Sequence, residues 1–208
     1  MGALKDLPIE RWINKHNCKI FVESGLGYGT GIMRAISPEF PFELLISIEI
    51  DKQTVEHLSQ TFRFDTRVRL FNAIGVDGLQ SILPQLPLNV PVFFWLDSHF
   101  LHSDVIPING EMTKHSDGEP DIRLPLLKEL ELVKSLRIDK GAKDVIVCDD
   151  LMLYDNRDIY DDNVARLGEN AVPEEYRNHL PRFLELFQKT HKSYINKAAQ
   201  GTLILEPL

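Results

Sequence analysis

The chain has 208 residues, of which 31 are acidic and 23 basic, and its formal net charge is −8. This acidic balance, without a Lys/Arg run longer than two, argues against a nucleic-acid-binding protein, which normally needs a basic face. The apolar runs are far shorter than the roughly 20 residues of a membrane span, and the first residues lack a signal-peptide core. We therefore expect a single cytoplasmic domain without nucleic-acid or membrane partners, and a homo-oligomer stays open.

Short β-branched or aromatic runs alternate with longer amphipathic segments along the chain. The runs predict strands at 19–23, 44–50, 68–71, 91–96 and 144–148, with a closing antiparallel pair at 193–196 and 202–205. Helices are predicted between them, up to about residue 37 and at 52–62, 77–83, 124–136 and 173–190, with a kink or break at Pro181. This alternation predicts an α/β fold: an open parallel sheet with helices on both faces.

Two polar segments do not fit the alternation. Residues 100–122 and 151–172 are rich in Asp, Asn, His and Gly, and each follows a strand-like run. Both should leave the carboxyl edge of the sheet, where open α/β sheets bind ligands. We predict that they are lids or binding loops inserted in the domain, with disordered insertions as the alternative. Cys18 and Cys148 adjoin strand-like runs, which predicts buried thiols rather than a disulfide.

The first predicted strand runs into a glycine-rich turn, Glu23-Ser-Gly-Leu-Gly-Tyr-Gly. Gly25, Gly27 and Gly29 allow a tight turn and a close approach of a ligand to the main chain, as in nucleotide-cofactor sites. The dinucleotide fingerprint is a rival, but it requires glycine or alanine where Thr30 stands. A carboxylate at Glu23 would repel a pyrophosphate and suits a cofactor with a cationic amino-acid end. A plain β–α turn without a ligand is the alternative.

The second predicted strand ends in Ile48-Glu-Ile-Asp51. An acid at the tip of the second strand, about 20 residues after a glycine turn, commonly binds a ribose diol. Glu49 is the candidate, because it is the first acid to emerge from the apolar run. Asp51 is better placed to cap the next helix.

These two segments resemble the class I S-adenosylmethionine-dependent methyltransferases. The resemblance implies a Rossmann-like seven-stranded sheet whose last strand is antiparallel. It also implies that Glu23 and the three glycines lie near the methionine moiety and that Glu49 holds the ribose. At the adenine, Asn72, Ala73 or Asp77 would take the place of the family's usual Gly-Asp pair, and Asn72 is our candidate.

Acidic side chains also follow the fourth and fifth predicted strands. Phe94-Trp-Leu-Asp-Ser-His99 delivers Asp97 and His99 to a strand tip, and Val147-Cys-Asp-Asp150 ends the next strand. Neighbouring strands lie about 5 Å apart, so Asp97, Asp149 and Asp150 should converge at one rim. Clustered carboxylates repel one another unless a cation is bound or one holds a proton, and such oxygen-rich sites suit Mg²⁺, Mn²⁺ or Ca²⁺. Capping of a turn and a helix is the alternative.

This second half of the chain looks like the macrocin O-methyltransferase and cephalosporin-hydroxylase-like branch of the same superfamily. By position, that resemblance implies Asp97, Asp149 and Asp150 as ligands of a divalent cation such as Mg²⁺. His99 would be a base, so that Asp97 and His99 are the candidate catalytic residues.

The sequence thus predicts an S-adenosylmethionine-dependent methyltransferase, metal-assisted, that methylates a hydroxyl of a small molecule or sugar. A nicotinamide (NAD-type) oxidoreductase, a metal-dependent hydrolase and a non-catalytic binding protein are the alternatives.

Overall fold

Seven strands of the computed structural model, which describes residues 4, 7–99, 120–157, 172 and 174–208, form one sheet. The strands are β1 (Ile20–Ser24), β2 (Leu44–Glu49), β3 (Val68–Asn72), β4 (Val92–Leu96), β5 (Val145–Cys148), β6 (His191–Asn196) and β7 (Thr202–Pro207). Their order is β3-β2-β1-β4-β5-β7-β6. The first five strands in this order, β3-β2-β1-β4-β5, pair in parallel, and β7 pairs antiparallel with both β5 and β6. The predicted Rossmann-like sheet with an antiparallel last strand is confirmed.

Helices pack on both faces of this sheet. Among the described residues they are α1 (Ile9–His16), α2 (Thr30–Ala35), α3 (Lys52–Phe62), α4 (Gly75–Ile82), α5 (Pro120–Arg123), α6 (Leu126–Leu136) and α7 (Leu180–Phe187). The prediction missed α1. None of these described helices has the length and hydrophobicity that crossing a membrane requires.

The long helix predicted over 173–190 is wrong. Residues 176–178 form a single 3₁₀ turn, and α7 begins only at Leu180. Pro181 lies in the first turn of α7, where the backbone N–H that proline lacks has no helical partner to lose. Pro181 therefore opens a helix instead of kinking one.

The central strands are buried on both faces, as a parallel sheet covered by two helical layers requires. Along β4, Val92, Phe94 and Leu96 belong to one hydrophobic cluster, which α4, α6 and α7 complete. The intervening Phe93 and Trp95 belong to a second cluster with α1, α2 and α3. This alternation explains why the apolar run of β4 is continuous in the sequence. Cys18 and Cys148 are buried free thiols, as predicted.

The sheet has its topological switch point at β1, which pairs with β2 on one side and β4 on the other. The chain therefore leaves β1 and β4 in opposite directions, and a crevice opens at their carboxyl ends. Gly25 follows β1 and Asp97 follows β4, so both stand at this crevice.

The two predicted polar loops lie largely outside the described residues, and their interpretation as lids stays a prediction. The described beginning of the second segment differs from a solvated loop. Residues 151–155 are buried, and Leu151–Leu153 forms a short 3₁₀ helix. The side chains of this stretch, Tyr154 among them, pack into the core beside α7 and do not face water.

Candidate active site

The glycine turn between β1 and α2 has the backbone conformation that favours glycine. Gly25, Gly27 and Gly29 have φ angles of 87°, 49° and 77°. The N–H of Gly25 donates to the carbonyl of Ile48 over 2.9 Å, which attaches the turn to the end of β2. A Cβ built on Gly27 has no heavy atom within 4 Å, whereas Gly25 and Gly29 face protein atoms. The open space beside Gly27 is where a ligand can approach the main chain.

Glu23 lies underneath this turn. Its side chain is 1% exposed, and Ser47 Oγ donates to Glu23 Oε2 over 2.5 Å. Oε1 occupies the space beside Gly31, where a Cβ would lie 1.8 Å away. Burial raises the pKa of Glu23 to about 8, although the hydrogen bond from Ser47 partly opposes the shift. The carboxyl group thus supports the start of α2, and a direct role at the cationic end of a cofactor stays a prediction.

Glu49 links the end of β2 to the glycine turn. Its Oε2 accepts a hydrogen bond from Gly27 N–H and its Oε1 one from Asp51 N–H, both 2.9 Å long. Asp51 accepts hydrogen bonds from Thr54 N–H and Oγ1 at the start of α3, so its predicted helix cap is confirmed. Glu49 is therefore held rigidly beside the open face of the turn.

Asn72, the candidate adenine-binding residue, donates hydrogen bonds from its side-chain amide to backbone carbonyl groups. Its Nδ2 donates to the carbonyl oxygens of Glu49, at 3.0 Å, and Ile50, at 2.8 Å. These bonds join the ends of β2 and β3. Contact between Asn72 and an adenine ring stays a prediction.

Asp97, His99 and Asp150 form a compact group of possible metal ligands at the crevice. One ligand atom from each lies within 4.8 Å of the other two. His99 Nδ1 is 3.5 Å from Asp97 Oδ1, and His99 Nε2 forms an ion pair with Asp150 Oδ2. Asp150 has a left-handed backbone with φ of 46°, which is uncommon outside glycine but which aspartate tolerates better than most residues.

Asp149 stands next to this group but is not part of it. Its Oδ1 accepts a long hydrogen bond, 3.4 Å, from Thr202 Oγ1 at the start of β7. Within the described part of the chain, Asp149 Oδ2 and Asp150 Oδ1 are buried without a hydrogen-bond partner. The structure therefore brings together two of the three predicted metal ligands, Asp97 and Asp150, with His99 as the third member. The orphaned oxygens fit a site that is completed by a cation.

Burial and the charges of neighbouring groups set the electrostatics of the cluster. Burial raises the pKa of Asp97 well above its usual range, and it raises that of Asp149 to about 6 with help from the Asp150 charge. Burial alone would lower the pKa of His99, but the nearby Asp150 carboxylate raises it to about 10. The same pairing lowers the pKa of Asp150, against the effect of its burial. The imidazolium of His99 thus supplies the positive charge among these acids.

Glu129 is a further buried acid at the site, and it is not among the residues predicted from the sequence. It lies on α6, is 1% exposed, and its Oε1 accepts a hydrogen bond from Ser98 Oγ over 2.7 Å. The same oxygen fills the space beside Gly75, where a Cβ would lie 2.4 Å away. Burial raises the pKa of Glu129 to about 7, which the bond from Ser98 partly offsets. Glu129 thereby anchors the residue between Asp97 and His99.

A sequence signal for Glu129 exists. It lies three residues after Leu126 and four before Val133, in register with the apolar face of α6. A carboxylate in that register must be buried, and a buried acid needs a partner.

No protein-family model matches the sequence, and no curated protein matches it. Solved structures do match. An O-methyltransferase from Bacillus cereus in complex with SAH is 12% identical, with a TM-score of 0.57 over 96% of this chain and 79% of that one. The O-methyltransferase TomG from Streptomyces achromogenes, in complex with SAM, is 16% identical, with a TM-score of 0.54 over 96% of this chain and 78% of that one.

A third match is the SAH-bound methyltransferase PaMTH1 from Podospora anserina, 11% identical, with a TM-score of 0.52 over 96% of this chain and 76% of that one. The chain has the class I methyltransferase fold. At such low identities the likeness establishes the fold, and the activity has to be argued from the site.

Proposed function

We propose that this protein is an S-adenosylmethionine-dependent methyltransferase that methylates a hydroxyl oxygen of a small molecule or sugar with the help of a divalent cation. The observation that carries the proposal is the contact between the glycine turn and the acidic cluster. A Cβ on Gly25 would lie 2.2 Å from the carbonyl oxygen of Asp97. Asp97 N–H also donates to the carbonyl of Ser24 over 2.9 Å. A cofactor on the turn and an acceptor at the cluster would therefore be neighbours.

The residues of the turn suit a nucleoside cofactor without a pyrophosphate. The space that a Cβ of Gly27 would occupy is open, and Glu49 presents a carboxylate beside it that is fixed by the Gly27 N–H. A carboxylate at that place accepts hydrogen bonds from ribose hydroxyls. The sulfonium nucleoside carries positive charge, which suits the carboxylate of Glu49 beside the open face of the turn.

The acidic cluster suits a divalent cation by its donor set. Asp97 and Asp150 would hold the ion, with Asp149 or His99 as a further ligand, and two of the aspartate oxygens are orphaned among the described residues. When bound, such a cation lowers the pKa of a hydroxyl that contacts it. Carboxylates with an imidazole fit Mn²⁺ and Fe²⁺ as well as Mg²⁺.

This chain's own residues supply position and proton transfer. The backbone of the turn fixes one reactant, and Glu129 fixes the Asp97–His99 tip through Ser98. Orientation of two bound reactants accounts for much of the acceleration in a transfer between them. We assign acceptance of the hydroxyl proton to His99, which must first lose the proton that its ion pair with Asp150 stabilises.

The test is calorimetric titration with S-adenosylhomocysteine and with NAD, followed by transfer of labelled methyl groups to a panel of hydroxyl compounds with and without EDTA. We expect binding of S-adenosylhomocysteine, no binding of NAD, and EDTA-sensitive methylation. Binding of NAD in its place would favour an oxidoreductase. Turnover of a phosphoester without the methyl donor would favour a hydrolase, and cofactor binding without any transfer would favour a non-catalytic protein.

A further inference from the structure

Two buried arginines lie near α6, and they differ in their partners. Arg137 is 0% exposed and forms a two-point ion pair with Asp144, at 2.6 and 3.0 Å. Arg123, the last residue of α5, is 6% exposed. Its Nε and Nη1 are enclosed, and neither has a hydrogen-bond partner among the residues that the structure describes. Among the described residues, Arg123 is thus a buried cation with two guanidinium nitrogens that no anion contacts.

A buried guanidinium cannot lose its unpaired charge by giving up a proton. It keeps its proton at any pH that a protein experiences, whereas a buried carboxyl or imidazole can become neutral. An enclosed charge without a counter-ion is strongly unfavourable, more so than a well-packed apolar side chain of similar size. A buried, unpaired arginine therefore indicates an anion that arrives from outside the described structure.

Arg123 precedes α6, whose first turn lies at the edge of the sheet where the crevice opens. α6 returns the chain from the carboxyl end of β4 to the start of β5, so its first turn stands at the edge where Asp97 and His99 lie. Glu129, six residues after Arg123, already bonds to Ser98 at that edge. Arg123 ends α5, and α6 begins three residues later at Leu126, so at most about 11 Å of chain separates Arg123 from the first turn of α6. Arg123 therefore stands near the same edge of the sheet as the acidic cluster.

We propose that Arg123 binds an anionic group, a carboxylate or a phosphate, of the molecule whose hydroxyl is methylated. The planar fork of its nitrogens matches either group at two points. The crevice would thus select acceptors that carry a negative charge at one end and the reacting hydroxyl at the other. This inference rests on the proposed function for the identity of the ligand, but the anion site itself can be tested without catalysis.

The experiment compares thermal unfolding of the wild type, Arg123→Met and Arg123→Lys in chloride, phosphate and malonate at constant ionic strength, with and without S-adenosylhomocysteine. In chloride we expect Arg123→Met to melt about 2–4 °C above the wild type, because methionine removes the unpaired charge and keeps the volume. Phosphate or malonate should raise the Tm of the wild type, have no such effect on Arg123→Met, and have a reduced one on Arg123→Lys. Comparing the two anions distinguishes a phosphate-bearing from a carboxylate-bearing ligand.

Arg137→Met is the matched control for an arginine whose anion belongs to the protein, and its Tm should fall. If Arg123→Met also melts below the wild type, Arg123 is paired within the chain and the proposal is wrong. It is equally wrong if neither anion stabilises the wild type, or if both stabilise Arg123→Met as much. The comparison with and without S-adenosylhomocysteine distinguishes this proposal from the proposed function. If S-adenosylhomocysteine raises the Tm of no variant, the methyltransferase function is refuted. An anion effect that depends on Arg123 would still support the anion site in that case.

Discussion

Gly25 is packed directly against the backbone of Asp97. The position of a Cβ on Gly25 lies 2.2 Å from the Asp97 carbonyl oxygen and 2.8 Å from Ser98 Cα, and no real Cβ tolerates such distances. The contact exists because β1 and β4 are parallel neighbours whose ends are in register, Ser24 beside Leu96. One glycine thus joins the candidate cofactor turn to the candidate metal cluster.

Alanine at Gly25 and at Gly27 should therefore have different consequences. Gly25→Ala drives a methyl group into the Asp97 backbone at a φ of 87°, and we expect a less stable protein. Gly27→Ala has open space and a φ of 49°, so it should fold with a loss of only about 1 kcal/mol yet bind S-adenosylhomocysteine at least 10-fold more weakly. Urea unfolding and calorimetry measure the two effects. Normal affinity in Gly27→Ala would place the cofactor elsewhere.

Asp97→Asn and Asp150→Asn should separate metal binding from cofactor binding. Each replaces a charged oxygen ligand by a neutral amide in the group with His99, so metal-dependent turnover should fall by about 100-fold or more. Affinity for S-adenosylhomocysteine should change little, because the glycine turn keeps its own contacts. Asp139→Asn, at a half-exposed carboxylate near α6, serves as the control. Loss of cofactor binding in both cluster variants would argue against two separate sites.

Glu129 should matter for catalysis through Ser98. Glu129→Ala leaves the Ser98 hydroxyl without its 2.7 Å acceptor and opens a space beside Gly75, so we expect a loss of about 1–3 kcal/mol in stability and a lower kcat. Glu129→Gln keeps an acceptor oxygen and should restore most of kcat. Urea unfolding and steady-state kinetics of both variants test this. Equal kcat in Ala and Gln variants of matched stability would assign Glu129 a purely structural role.

Glu23 should make stability fall as the pH rises. Burial raises its pKa from 4.5 to about 8 in the fold, so the folded state binds this proton more tightly than the unfolded chain does. The favourable contribution is complete below pH 4.5 and is lost as the pH rises through 8. The free energy of unfolding of Glu23→Gln, measured in urea, should therefore rise relative to that of the wild type by a few kcal/mol between pH 5 and pH 9. A difference that is constant with pH would mean that Glu23 titrates normally.

Much of the fold followed from local patterns. The continuous apolar run of β2 and the clean amphipathic stretch at Lys52–Phe62 were predicted to within a residue, because burial on both faces or on one face leaves a direct trace in residue order. The prediction failed around Pro181, where the same residue type permits either a break inside a helix or the start of one. Only the packing of α7 decided between them.

By itself the sequence determined which residues are chemically able to act: glycines in a turn after β1, an acid after β2, and Asp97, Asp149 and Asp150 after neighbouring strands. Tertiary structure alone decided how they combine. It placed His99 between Asp97 and Asp150, turned Asp149 toward Thr202, and buried Arg123 of α5 and Glu129 of α6. The reason is physical: residue order fixes periodicity and strand ends, whereas the direction of a side chain and its counter-charge depend on contacts between segments distant in the chain.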